Sequence, residues 1–160
     1  AIAITSSLAK HFLDRGRSVG MVTYARRTQR EFAQTDRGER QQARLLEMLA
    51  VAHAEGDVPL AQVLSAETVH FTRNTTAIAI TTSVDADWVV AMRHLATRGV
   101  RPVAVLIDPS SFLQDASASR YERATRRVVT DLVASRIPTY LVRNGDPLEV
   151  ALSEANAQAA

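Results

Sequence analysis

Three aspartates, Asp85, Asp87 and Asp108, follow short apolar runs, which makes them the best-placed groups for chemistry in this 160-residue chain. A hard divalent cation such as Mg²⁺ or Mn²⁺ takes several oxygen ligands converging on one point. Ser83 and Asp57 are the oxygens that could join Asp85 in a rearranged metal site. Each aspartate at a strand end also has a plain structural role. Asp85 stands where a helix N-cap belongs, Asp87 suits the positive end of a helix dipole, and Asp108 before Pro109 fits turn initiation. The structural role is the expectation, so no metal or cofactor is assigned. Ser110 and Ser111 have no His and Asp in a nucleophilic order, so no catalytic residue is assigned either.

Other chemistries find less support. GxxxxGK[ST] and GxGxxG are absent, so a nucleotide loop of the usual kind is not expected. His11, His53, His70 and His94 form neither HxxxH nor HExxH, and a lone histidine is more often structural than a ligand. With no cysteine there are no disulfides or thiolates. The net charge is +2 and Lys10 is the sole lysine, so the basic character is arginine-borne and nucleic acid is not an expected partner. Arg120, Arg123 and Arg127 share one helix face, and Arg37, Arg40 and Arg44 share another. Solvated faces with Glu39, Glu47 and Glu122 as partners are the default reading, and an acidic protein partner is the sharper one.

The elements that must position these residues are legible. TTAIAITTS, DADWVVAMRHLATRG and VRPVAVLIDPS, within 75–111, read strand, helix, strand. Apolar runs without alternation suit strands buried on both faces, and the helix between makes the pair parallel. Ligands of such open α/β sheets sit beyond the strands' carboxyl ends, which here are Thr81-Thr82-Ser83-Val84-Asp85 and Asp108-Pro109-Ser110-Ser111. Upstream, Ile4, Leu8 and Phe12 mark a helix face over 1–15, and 18–24 is a strand. After a turn at Arg26-Arg27, 29–34 is a short antiparallel strand at the sheet edge. Capping boxes at Asp36/Glu39, Ser119/Glu122 and Asp146/Glu149 open three helices. The first runs to about Ala54 with Leu45, Leu49 and Ala52 inward, and Gly56 ends it. Pro59 opens a short helix. The helix capped by Asp85 and ended by Gly99 buries Trp88, Val89, Met92 and Leu95, and the helix opened by Ser119 buries Tyr121, Ala124, Val128, Val129 and Leu132. The last strand is 138–142.

At this length one domain is expected, over 1–154, with 155–160 as a frayed tail. No apolar run approaches the roughly 20 residues of a membrane helix. The chain lacks an initiator Met and opens inside a helical pattern, so it reads as a fragment.

Four phrases together carry a resemblance: HFLDRGRSVGMVTYA, DRGERQQARLLEMLA, EGDVPLAQVL and RGVRPVAVLIDPSSF. Over residues 2–142 the chain resembles the bacterial domain-of-unknown-function family 58, whose carboxyl-terminal half is similar to a von Willebrand factor A domain. The resemblance implies an α/β fold: a Rossmann-like open sheet with helices on both faces. It implies association with MoxR-type AAA+ ATPases, an amino-terminal membrane anchor in many full-length members, and a place in the cytoplasm or at the cytoplasmic membrane face. Von Willebrand A domains bind ligands through a divalent metal held by a DxSxS loop, a threonine and an aspartate. Here the first strand and its DxSxS would precede Ala1, the threonine position is Val58, and the aspartate position is Thr82. The resemblance therefore implies a degenerate metal site. That first strand would lie between the 18–24 and 76–81 strands. Its absence should leave a gap closed by direct pairing, by another chain such as a second copy, or by upstream residues.

The functional expectation is a non-enzymatic protein-interaction domain, an adaptor or partner of a MoxR-type AAA+ ATPase. Its contacts would come from Thr82, Ser83, Asp85, Asp87, Asp108, Ser110 and Ser111. A divalent-metal-dependent ligand-binding domain is the alternative, and a small hydrolase on the same sheet comes third.

Overall fold

The computed structural model describes residues 1–27, 29–53, 55–153 and 155. They form a mixed α/β protein divided into two compact units, Ala1–Val58 and Pro59–Ala160. Among the described residues no helix is long and apolar enough to cross a membrane. Residues 28, 54, 154 and 156–160 lie outside the description, and with them most of the expected tail and the expected helix end at Ala54.

The first unit runs α1 (Ile2–Asp14), β1 (Val19–Arg27), β2 (Gln29–Asp36), α2 (Gly38–Ala50) and the two-residue β3 (Glu55–Gly56). Its sheet has the order β2-β1-β3. β1 and β2 pair antiparallel with Met21 opposite Ala33 and Val22 opposite Phe32, so the expected edge hairpin is present. Ala9, Leu13, Ala33 and Leu45 make the small core, with Val19, Met21 and Met48 packed on it. Gln41 is 3% exposed, and its Nε2 donates to the carbonyls of Val19 (2.7 Å) and Gln34 (2.8 Å). One buried amide thereby finds acceptors for both its N–H donors and ties α2 to β1 and β2. Gly56 does not end α2, which stops at Ala50; it pairs with β1 in parallel. There a Cβ would stand 2.0 Å from the Tyr24 carbonyl oxygen, so only glycine fits the approach.

The second unit runs α3 (Leu60–Glu67), β4 (Thr76–Thr81), α4 (Asp87–Thr97), β5 (Arg101–Ile107), α5 (Ala118–Ala134), β6 (Thr139–Val142) and α6 (Leu148–Ala151). The sheet is parallel in the order β4-β5-β6, as the apolar runs predict. Ala77 and Ala79 of β4 share one face with Ala104 and Leu106 of β5. Onto that face pack Trp88, Met92 and Leu95 of α4, Val128 and Leu132 of α5, and Leu64 of α3. Each such burial contributes roughly 1.5–3 kcal/mol.

Several expectations are corrected. Among the described residues the strands form two three-stranded sheets rather than one open sheet, and no pairing joins β1 to β4. α3, α4 and α5 share the core on the Ala104 and Leu106 face, and Val105, Ile107 and Val142, which alternate with that face, are buried as well. Tyr121 is 39% exposed, and Thr125, at 3%, takes the buried place, because its hydroxyl finds an acceptor inside. In the first helix Ile4 is buried as expected, but beyond it the buried positions are Ala9 and Leu13, one residue past the half-buried Leu8 and Phe12.

None of the three capping boxes forms. α2 is capped by Arg37 while Asp36 accepts the Arg37 N–H, and α5 starts after Ser117, leaving Ser119 inside the helix. α6 starts after Pro147, while Asp146 accepts the Arg143 N–H. In each case a competing donor or an earlier helix start claims the position.

Candidate functional site at the carboxyl edge of the parallel sheet

Beyond β4 the chain turns through a run of side-chain-to-backbone bonds. Thr81 Oγ1 accepts from the Ser83 N–H (3.0 Å), Ser83 Oγ from Asp85 (3.3 Å), and Asp85 Oδ1 from Asp87 (3.1 Å). Each spans two residues, the Asx- and Ser/Thr-turn geometry. The α4 cap is Ala86, so Asp85 serves one residue earlier than expected while still holding the first helical N–H. Trp88 Nε1 donates to the Ser83 carbonyl (3.2 Å), so the loop also satisfies the one polar atom of the core indole. Thr82, Asp85 and Asp87 are exposed, and Ser83 is half-buried.

Beyond β5 the arrangement centres on Asp108. Expected as a contact residue, it is 3% exposed and turned inward. Its Oδ1 accepts from the Ser110 N–H (3.0 Å), Ser110 Oγ (2.7 Å) and Thr125 Oγ1 (3.2 Å), and its Oδ2 from Arg143 Nε (3.4 Å). Ser111 Oγ donates to the Asp108 carbonyl (2.7 Å) and accepts from the Asn144 N–H (2.9 Å). One buried carboxylate and one serine thus tie the 3₁₀ turn Pro109–Phe112 to α5 and to the end of β6. The turn holds Phe112 outward at 55% exposure.

Further along, Asp115 accepts from the Ser117 hydroxyl and from its N–H (2.8 Å). The hydroxyl, then the backbone bond, hold this exposed carboxyl below its ordinary value.

Asp57 is exposed and belongs to the first unit, whereas Ser83, Asp85, Asp87, Asp108, Ser110 and Ser111 belong to the second. The sequence reading placed Asp108, Ser110 and Ser111 together but missed Thr125, Arg143 and Asn144. A signal for Thr125 was present: Thr125, Val128 and Leu132 recur at i, i+3 and i+7 on the apolar stripe. Arg143 and Asn144 reach the cluster only through parallel pairing of β6 with β5, which no local pattern encodes.

As chemistry, the cluster is a poor nucleophilic site. Ser110 Oγ donates its hydrogen bond to a carboxylate oxygen that already accepts two others, and no imidazole accompanies it in the hydrogen bonding described. It is well made for holding a turn in one shape. Comparison with protein-family models, with curated proteins and with solved structures found no match.

Proposed function

We propose that this chain is a von Willebrand factor A-like protein-interaction domain with a degenerate metal site, acting by contact as an adaptor or partner of a MoxR-type AAA+ ATPase. The observation that carries the reading is Phe112, 55% exposed on a turn that Asp108 and Ser111 pin from beneath. An aromatic ring presented on a rigid turn loses little entropy when it docks, which is what an interface anchor requires. The neighbouring loop supports the reading, because Ser83 Oγ and Asp85 Oδ1 already accept backbone N–H groups. A cation there would compete with those bonds. The family phrases supply the class of partner.

The test is capture of the purified MoxR-type ATPase of the same genome by this chain, with and without ATP. The reading expects specific capture that Phe112→Ala weakens at least tenfold, and Asp85→Ala less. Capture in neither nucleotide state would remove the ATPase from the proposal. Calorimetry with Mg²⁺ and Mn²⁺ addresses the metal-dependent alternative, which needs binding heat that Asp85→Ala abolishes.

A further inference from the structure

We infer that the outer face of α5 docks an acidic helical segment of a partner protein. The surface is separate from the Phe112 turn, and the inference holds whichever protein the partner is.

α5 presents Arg120, Arg123, Arg126 and Arg127 to solvent, all on one side of the helix. Between them stand Ser119, Thr130 and one acid, Glu122, in a shallow groove of about 500 Å³ also lined by Arg123, Arg126 and Arg127. Only Arg126 is paired, with Glu122 at 2.9 Å. Among the described residues Arg120, Arg123 and Arg127 make no side-chain hydrogen bond or ion pair. Around α2, by contrast, Arg37 Nε donates to Ser18 Oγ and Arg44 reaches the Phe32 carbonyl, leaving only Arg40 of that trio without a bond among the described residues.

A merely solvated face would place acids among these arginines at i±3 and i±4. Arg126 has Glu122 at i−4 and Arg127 has Asp131 at i+4, but Arg123 has arginines at i−3, i+3 and i+4 and no acid at those spacings. Such like-charge neighbours destabilise a helix. The first turn of α5 carries no acidic residue, and Arg120 stands near the positive end of the dipole, where a cation is unfavourable. The arrangement around Arg123 therefore works against its own helix, and the Glu122–Arg126 pair offsets only part of that cost. Local conflicts of this kind are expected where function demands them.

The chemistry of the face selects the occupant. Guanidinium groups bind carboxylates through paired N–H donors and are enriched at protein interfaces. Arg120, Arg123 and Arg127 span seven residues, about 10 Å along the axis, and an acidic helix with carboxylates at i, i+4 and i+7 matches that length. A membrane surface is disfavoured, because interfacial helices insert an apolar face and that of α5 is committed to the core through Val128 and Leu132. Nucleic acid is disfavoured by a net charge of only +2 and by Glu122 within the face.

The experiment is an NMR titration of the ¹⁵N-labelled chain with a synthetic helical peptide bearing glutamates at i, i+4 and i+7. Exposed ion pairs are individually weak, so affinity on the order of millimolar is expected. Shifts should be confined to residues 119–130. They should fade as ionic strength rises from about 0.1 M to about 1 M, where screening shortens from about 10 Å to about 3 Å. Arg123→Glu should weaken binding at least tenfold while raising the melting temperature, because the new carboxylate faces three arginines; Arg127→Gln should weaken binding without loss of fold. The inference is overturned by no shifts at about 10 mM peptide, by shifts indifferent to both variants, or by a fall in melting temperature with Arg123→Glu. Stronger responses of the same residues to a dT12 oligonucleotide or to phosphatidylserine vesicles would also overturn it.

Discussion

Asp108→Ala should be among the most damaging single polar substitutions in the second unit, and its cost can be built from its bonds. Arg143 is 60% exposed, so its 3.4 Å contact is largely screened and contributes well under ~1 kcal/mol. The Thr125 hydroxyl is 3% exposed and would lose its acceptor, a cost of roughly 1–3 kcal/mol. Ser110 would lose the acceptor of both its N–H and its hydroxyl, but half-buried groups recover water, so about 1 kcal/mol remains, as for a lost cap. The total is about 3 kcal/mol. Asp108→Asn keeps an acceptor oxygen and should cost about 1 kcal/mol. Thr125→Val keeps the shape and removes the donor. In the double variant Asp108→Ala/Thr125→Val the orphaned hydroxyl is gone, so the effects should fall short of additive by about 1 kcal/mol. Urea unfolding of the four variants reads these differences directly. If Asp108→Ala lies within about 0.5 kcal/mol of the parent, as ordinary surface substitutions do, the cluster is not the clamp described.

Three further outcomes follow from local geometry. Arg136 ends α5 with φ 55°, where α1 and α4 end with Gly16 (φ 69°) and Gly99 (φ 85°), so Arg136→Gly should stabilise by about 0.5–1 kcal/mol in the same urea assay. Gly56→Ala drives a methyl into the Tyr24 carbonyl and should cost roughly 1–3 kcal/mol, with loss of hydrogen-exchange protection in β3. Asp115 is deprotonated more readily in the folded chain than its ordinary 3.8, so its small contribution is present above that value and disappears as pH falls through the lowered folded value. An NMR titration should place its midpoint below 3.8 and show it moving back toward 3.8 in Ser117→Ala.

The parallel strands and the α4 core could be read from the chain because burial on both faces leaves an unbroken apolar run, and Trp88, Val89, Met92 and Leu95 recur at helical spacing. Helix starts were less legible. Asp36, Asp146 and Ser119 stand at plausible caps, yet each sits one or two residues from the cap observed. A short polar side chain can serve a turn as readily as a helix end, so composition fixes the neighbourhood and not the bond. The division into two sheets was illegible because strand partners far apart in sequence leave no periodic trace. Half of the edge cluster was illegible for the same reason: Asp108 and Ser110 are neighbours in sequence, whereas Thr125 and Arg143 become neighbours only through packing. Gln41 stayed hidden as a polar residue on a helix whose buried positions were read from Leu45 and Leu49.

The central proposal, that this chain works by presenting a rigid surface to a protein partner, is tested most directly by one comparison. The affinity of the purified MoxR-type ATPase for the parent chain would be measured against that for Phe112→Ala and Asp108→Asn. The expected result is strong loss with Phe112→Ala and mild loss with Asp108→Asn, because the first removes the anchor and the second only loosens the turn that holds it. Equal affinity for all three chains, or loss with Asp108→Asn alone, would contradict the account.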